Sequence, residues 1–156
     1  MFKNLSPGAI GISVSLTGGI ELAKKTGFEG IDINIGGIAD LAEKESIEYV
    51  RSLFENAGIK PGGWGLPVNW RAEKSKFKED LEKLPRLAKV GKEIGCTRVP
   101  TWVLSFSDDK PFEENFEWHK KRFRAVAEIL KDYDCSLGLE FLGPKTIRQG
   151  HKYEFI

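Results

Sequence analysis

The sequence predicts an α/β fold, about five parallel strands and four helices that make up the N-terminal part of a (β/α)8 TIM barrel. Three observations predict it. Short apolar runs alternate with longer amphipathic ones, which implies right-handed crossovers and a parallel sheet. The pattern of helix, glycine, short turn and strand recurs in KKTGFEGIDI and KEIGCTRVPT, as repeated βα units do. Nothing after the fifth strand is long or apolar enough to form a last covering helix, so a self-contained open sheet would lie bare on one side.

The elements follow in order. Residues 10–16 (IGISVSL) read as strand one, and residues 19–26 as a short helix stopped by Gly27. Residues 31–35 (IDINI) are strand two. The next helix presents Ile47, Val50, Leu53, Phe54 and Ala57 at steps of three and four, and Gly58 ends it. Residues 60–66 (KPGGWGL) form a glycine-rich strand three. A third helix presents Phe77, Leu81, Leu84, Leu87, Ala88 and Ile94, and Pro85 within it should kink or divide it. Residues 98–104 (RVPTWVL) are strand four. A fourth helix carries Phe116, Phe123, Val126, Ala127 and Leu130, and residues 137–141 (LGLEF) are strand five. A polar loop follows.

The chain has 156 residues, which reads as one domain, with 24 Lys plus Arg against 23 Asp plus Glu. There is no basic excess to hold phosphate backbones, so neither nucleic acid nor a membrane surface is the expected partner. No stretch approaches the roughly 20 apolar residues that span a bilayer, and the N-terminus lacks the apolar run of a signal peptide. Cys96 and Cys135 are far apart and each precedes a strand, so they read as small buried thiols. A cytoplasmic location is the expectation.

Five parallel strands also suit a doubly wound sheet of the flavodoxin type. The loop after strand one, SLTGGIE, lacks a phosphate-cradling pattern. The strands are rich in glycine and polar residues, whereas a doubly covered sheet reads as nearly continuous Val, Ile and Leu. A whole barrel needs about 250 residues. The expectation is therefore an arc with two free edges and an apolar inner face, unstable or aggregating alone, and either truncated or completed by another chain.

The stretches GGWGLPVNWR (62–71), RVPTWVLSFSDDKPFEENFEWHKKR (98–122) and LGLEFLGPKTIR (137–148) resemble the xylose-isomerase-like TIM-barrel family of sugar isomerases and epimerases, with inosose dehydratase and ketose 3-epimerases among its members. The resemblance runs over nearly the whole chain. It implies a divalent metal, manganese foremost, held by side chains on strands five to eight, a sugar or polyol substrate, and proton transfer beside a sugar carbonyl. Carried over by position, Glu140 alone matches a metal ligand and catalytic acid/base. The other ligands would lie on strands absent here. A catalytically inactive half-barrel, a homo-oligomer or a chain that binds a complementary C-terminal half is the competing expectation. An endonuclease IV-like role shares the fold but not the charge or the ligand histidines.

The residues themselves carry part of this reading. In LGLEFLG, Leu139 and Phe141 should point toward the helices, which turns Glu140 and Gly138 into the barrel. Strand ends of this polarity are where barrel chemistry sits, although a salt-bridged strand carboxylate is the plainer alternative. Trp64 and Trp102 fall late in strands three and four, and each would serve either as a flat wall for a sugar or as core. Asp32 and Asn34, at i and i+2, would bind sugar hydroxyls or satisfy interior polar groups. Lys145 and His151 lie in the loop after strand five, on the catalytic side, as substrate contacts or solvated residues. His119 sits mid-helix among charges and reads as solvent-facing or partner-paired.

Overall fold

In a computed structural model, residues 1–155 are described. The strands are β1 (Asn4–Leu5), β2 (Gly30–Ile31), β3 (Lys60–Pro61), β4 (Arg98–Leu104), β5 (Phe106–Ser107), β6 (Ser136–Leu142) and β7 (Tyr153–Glu154). The helices are α1 (Leu16–Lys25), α2 (Ile35–Lys44), α3 (Ile47–Ala57), α4 (Lys74–Glu93), α5 (Phe112–Lys131) and the single turn α6 (Lys145–Arg148).

The principal strands pair in chain order. β1 lies parallel to β2, β2 to β3, and β4 to β6. Beyond β3 the backbone continues the ladder: Trp64 N–H donates to Arg98 O at 3.1 Å and Leu66 N–H to Pro100 O at 3.0 Å. One parallel arc results, ordered β1-β2-β3-β4-β6, with no point at which strand order reverses. A doubly wound sheet needs such a reversal; a barrel does not. The structure is therefore part of a barrel.

Each strand alternates sides. The outer face buries Leu5, Ile31, Ile33, Trp64 and Val99 under α1 to α5, and Leu84 and Leu130 of α4 and α5 are fully buried there. Cys96 and Cys135 are free thiols in this core; burial pushes the Cys96 thiol up to about 12 and raises that of Cys135.

Several elements depart from expectation. Residues 10–16 are not a strand. Pro7 opens a 3-10 turn (Pro7–Ile10), Gly11 ends it at φ +75°, and Ser15 accepts Gly18 N–H to cap α1. Turn and cap chemistry prevail over apolar content, and the true edge strand comes earlier, where Leu5 is buried. Strand two gives way at Asn34, whose side chain accepts Gly37 N–H and starts α2, a helix that two consecutive glycines disguise. α4 runs undivided through Pro85, its two halves held on the sheet by Leu84, Leu87 and Ala88. The helix stops at Gly27 and Gly58 are as expected, with φ of +75° and +69°.

After β6 the chain returns to the loop that follows β4. β7 pairs antiparallel with β5, and Phe155 N–H donates to Ser105 O at 2.7 Å. Among the described residues no helix covers the far side of β6. Leu139 and Phe141 point outward as expected, yet are 52% and 57% exposed.

Candidate functional site

The C-terminal strand ends gather the side chains with chemical potential. Trp102 and Glu140 are register partners on adjacent strands and share the inner face with Arg98, Pro100 and Gly138. Trp102 is 39% exposed. Glu140 is exposed and makes no hydrogen bond or ion pair among the described residues. The salt-bridged alternative for Glu140 is thus not what the structure has, and the enclosed interior expected around it is not formed by these residues. At the N-terminal end of the inner face Phe2, Asn4, Asp32 and Arg98 border an open groove of about 540 Å³.

Trp64 is elsewhere. It is fully buried on the outer face, against Gly91 of α4, with its indole N–H donating to Cys96 O at 2.9 Å. A ring so placed cannot wall a ligand site. The reason is a slip in alternation. Ile31 stands level with Pro61, but Ile33 N–H donates to Gly63 O rather than to Gly62 O, so Gly62 and Gly63 together oppose Asp32. Such a bulge moves every later residue of that strand to the other face.

Asp32 accepts a 2.6 Å hydrogen bond from the Asn4 amide across β1 and β2, which satisfies an interior polar pair. Asn34 is a helix cap, its Oδ1 accepting Gly37 N–H, and borders with Asp32 a hollow of about 690 Å³. Lys145 is exposed at the start of α6. His151 is held on the β5–β7 ribbon: its ring stacks on Phe106 at 3.5 Å, and Nδ1 lies 2.9 Å from Asp108 Oδ2. Lys152 N–H, then His151, hold the Asp108 carboxyl below its usual range.

Residues that sequence reasoning passed over complete this end of the molecule. The 67–73 loop folds Trp70 into an aromatic cluster with Trp102, Trp118 and Phe123. His119 belongs to this cluster, 5.0 Å from the Trp70 ring. Its Nδ1 is 2.7 Å from Asn115 O and so carries the proton, while Nε2 is enclosed without a partner among the described residues. Burial lowers its pKa, the Asn115 carbonyl opposes this, and the Arg71 charge adds to the lowering. The signal was the pairing of an aromatic-basic run (NWR) directly after strand three with Trp118 and Arg122 one turn apart on α5.

Among the described residues no three His, Cys, Asp or Glu side chains converge to hold a metal ion. Glu140 is one carboxylate alone, so these residues do not by themselves fit a metal centre. Among the described residues no helix is long and apolar enough to cross a membrane.

No protein-family model matches the sequence, and no curated protein matches it. Solved structures do. A xylose isomerase domain protein from Alicyclobacillus acidocaldarius superposes with a TM-score of 0.84 at 26% identity, over 100% of this chain and 55% of that one. The IolI protein with a bound zinc atom gives 0.74 at 19% identity, over 92% and 52%. D-psicose 3-epimerase from Clostridium cellulolyticum H10, solved with D-tagatose, gives 0.69 at 15% identity, over 96% and 55%. The chain spans about half the length of the structures it matches.

Proposed function

With the fold of part of a xylose-isomerase-like barrel as premise, we propose that residues 1–156 form a single partial barrel domain of a sugar isomerase or epimerase type, with Glu140 as its proton-transferring group and Trp102 as the apolar wall for the sugar. The observation that supports this most is the juxtaposition of Trp102 and Glu140 on the open inner face, at the strand ends where barrels place their chemistry.

In this reading a ketose or related polyol lies against the Trp102 ring. The Glu140 carboxylate takes a proton from the carbon beside the carbonyl. The C–H electron pair moves toward the carbonyl oxygen to give an enediolate; return of the proton by Glu140 to the neighbouring carbon gives the isomer, and delivery of a proton to the opposite face by a second acid from outside these residues gives the epimer. Dehydration begins the same way. Lys145 and His151, on the same end, are proposed to approach substrate, and Asp32 is proposed to meet it deeper in the groove. A divalent ion, manganese foremost, would supply charge for the developing oxyanion. Glu140 would contribute one donor, and the others would come from outside these residues.

The test joins residues 1–156 to a complementary C-terminal half and measures manganese-dependent exchange of the substrate proton with solvent. Glu140→Gln should lower exchange by about 10²–10⁴-fold. Undiminished exchange in that variant would remove Glu140 from the role.

A second reading has support of its own. β6 pairs on one side only, and Leu139 and Phe141 lie bare beside its free edge. Free edges with apolar flanks pair with other strands. A half-barrel that binds a partner or a second copy would elute in size-exclusion chromatography as a monodisperse, metal-free assembly.

A further inference from the structure

The 67–73 loop that leads into α4 is well tied: Val68 and Trp70 are buried, and its backbone is held by hydrogen bonds. Asn69 N–H donates to Asp80 Oδ2 (3.0 Å), Arg71 N–H to Asn69 Oδ1 (3.3 Å) and Ala72 N–H to Asn69 O (3.1 Å). The Trp70 indole N–H reaches Thr101 Oγ1 (3.3 Å), and Arg122 Nη1 donates to Ala72 O (3.1 Å). What this scaffold presents is the Arg71 side chain. Its guanidinium lies 5.9 Å from the Trp70 ring centroid and 5.5 Å from that of Trp102. Two indoles thus hold the fork in place. Arg51 pairs with Glu55, Arg86 with Asp40 and Glu43, and Arg148 with Glu154. Among the described residues Arg98 and Arg122 have no ion pair but donate to the carbonyls of Gly62 and Ala72, and Arg124 is exposed on α5 away from the strand ends. Arg71 makes no ion pair among the described residues. The carboxylates of Glu73, Asp108 and Asp109 border the neighbouring 460 Å³ hollow, which Arg71 also lines, but none comes within ion-pair distance of it, and Asp108 is held by His151.

We infer that Arg71 is an anion-recognition residue, so that the ligand is a sugar carrying a phosphate or a carboxylate. This rests on the reading of Trp102 and Glu140 above and deepens it. Arg71, Trp102 and Glu140 follow one another across the strand ends. A sugar stacked on Trp102 with its reacting carbon at Glu140 directs its far end to Arg71. A planar guanidinium with free donors binds two oxygens of one anionic group at once. A neutral sugar would leave that held cation without its complement.

The experiment uses tryptophan fluorescence of the full polypeptide, since Trp70 and Trp102 flank the guanidinium and report binding without turnover or metal. The probes are D-fructose, D-fructose 6-phosphate, D-glucuronate and inorganic phosphate. An anionic sugar should bind roughly ten- to a hundredfold more tightly than fructose. Arg71→Gln should bring that ratio close to one by weakening the anionic sugar, and Arg71→Lys should fall between. Preference for fructose 6-phosphate over glucuronate identifies phosphate as the group; the reverse identifies carboxylate. Equal binding of neutral and anionic sugars by the unaltered chain overturns the inference, whatever the variants do, and leaves the sugar site standing. So does a ratio that survives Arg71→Gln. If only inorganic phosphate binds, and through Arg71, the anion site stands and the sugar reading fails. If no probe binds, both fail.

Discussion

The two ends of the arc are built oppositely. At the β1–β2 end the strands are two residues long, yet their outward residues Leu5 and Ile31 are 6% and 3% exposed. At the β6 end a seven-residue strand leaves Leu139 and Phe141 largely in solvent. Strand length does not decide burial here. Cover does: Leu5 and Ile31 pack into the helix-covered core, whereas β6 has α5 and then only the single turn α6. The inner faces differ too. Asp32 is satisfied by Asn4, whereas Glu140 has no partner among the described residues.

Substitutions would break or sharpen this contrast. Leu84→Ala, under the covered part of the sheet, should cost about 2–5 kcal/mol in urea unfolding. Phe141→Ala at the bare end should change stability by less than about 0.5 kcal/mol; an equal loss would show that Phe141 is covered in solution. Gly62→Ala should cost about 1–3 kcal/mol, because its new methyl would meet the Asn4 side chain. Leu139→Ser with Phe141→Ser should leave the unfolding midpoint nearly unchanged and reduce concentration-dependent association in light scattering, and persistent association would move the sticky surface elsewhere. The smallest effect concerns His119. Its pKa is lower folded than unfolded, so the unfolded chain binds more protons as pH falls below about 6.5. Stability should decline from there toward the folded value, and His119→Phe should flatten that decline in thermal melts. An unaltered slope would mean that the ring is not shielded.

The parallel order, the helix stops at Gly27 and Gly58, and the outward and inward alternation around Glu140 were all legible in the sequence, because each depends on local periodicity or on glycine stereochemistry. The position of β1 was not: IGISVSL has strand composition, but Pro7, Gly11 and the Ser15 cap act on backbone geometry first. The helix at Ile35–Lys44 hid behind Gly36 and Gly37. Trp64, legible as either ligand wall or core, is core because a bulge reverses alternation without any change of composition. Arg71 and His119 needed tertiary placement, since nothing in NWRAEK or EWHKKR states that two indoles will hold the first cation and enclose the imidazole.

The paired glycines opposite Asp32 set a reading frame for side chains. Removing one would take out the bulge and leave Trp64 opposite Ile33, still on the helix side, whereas regular pairing with both glycines kept would turn the indole into the basin beside Asp32. Which side chains face a ligand on this scaffold is therefore decided by the backbone register of the glycine pair as well as by residue type.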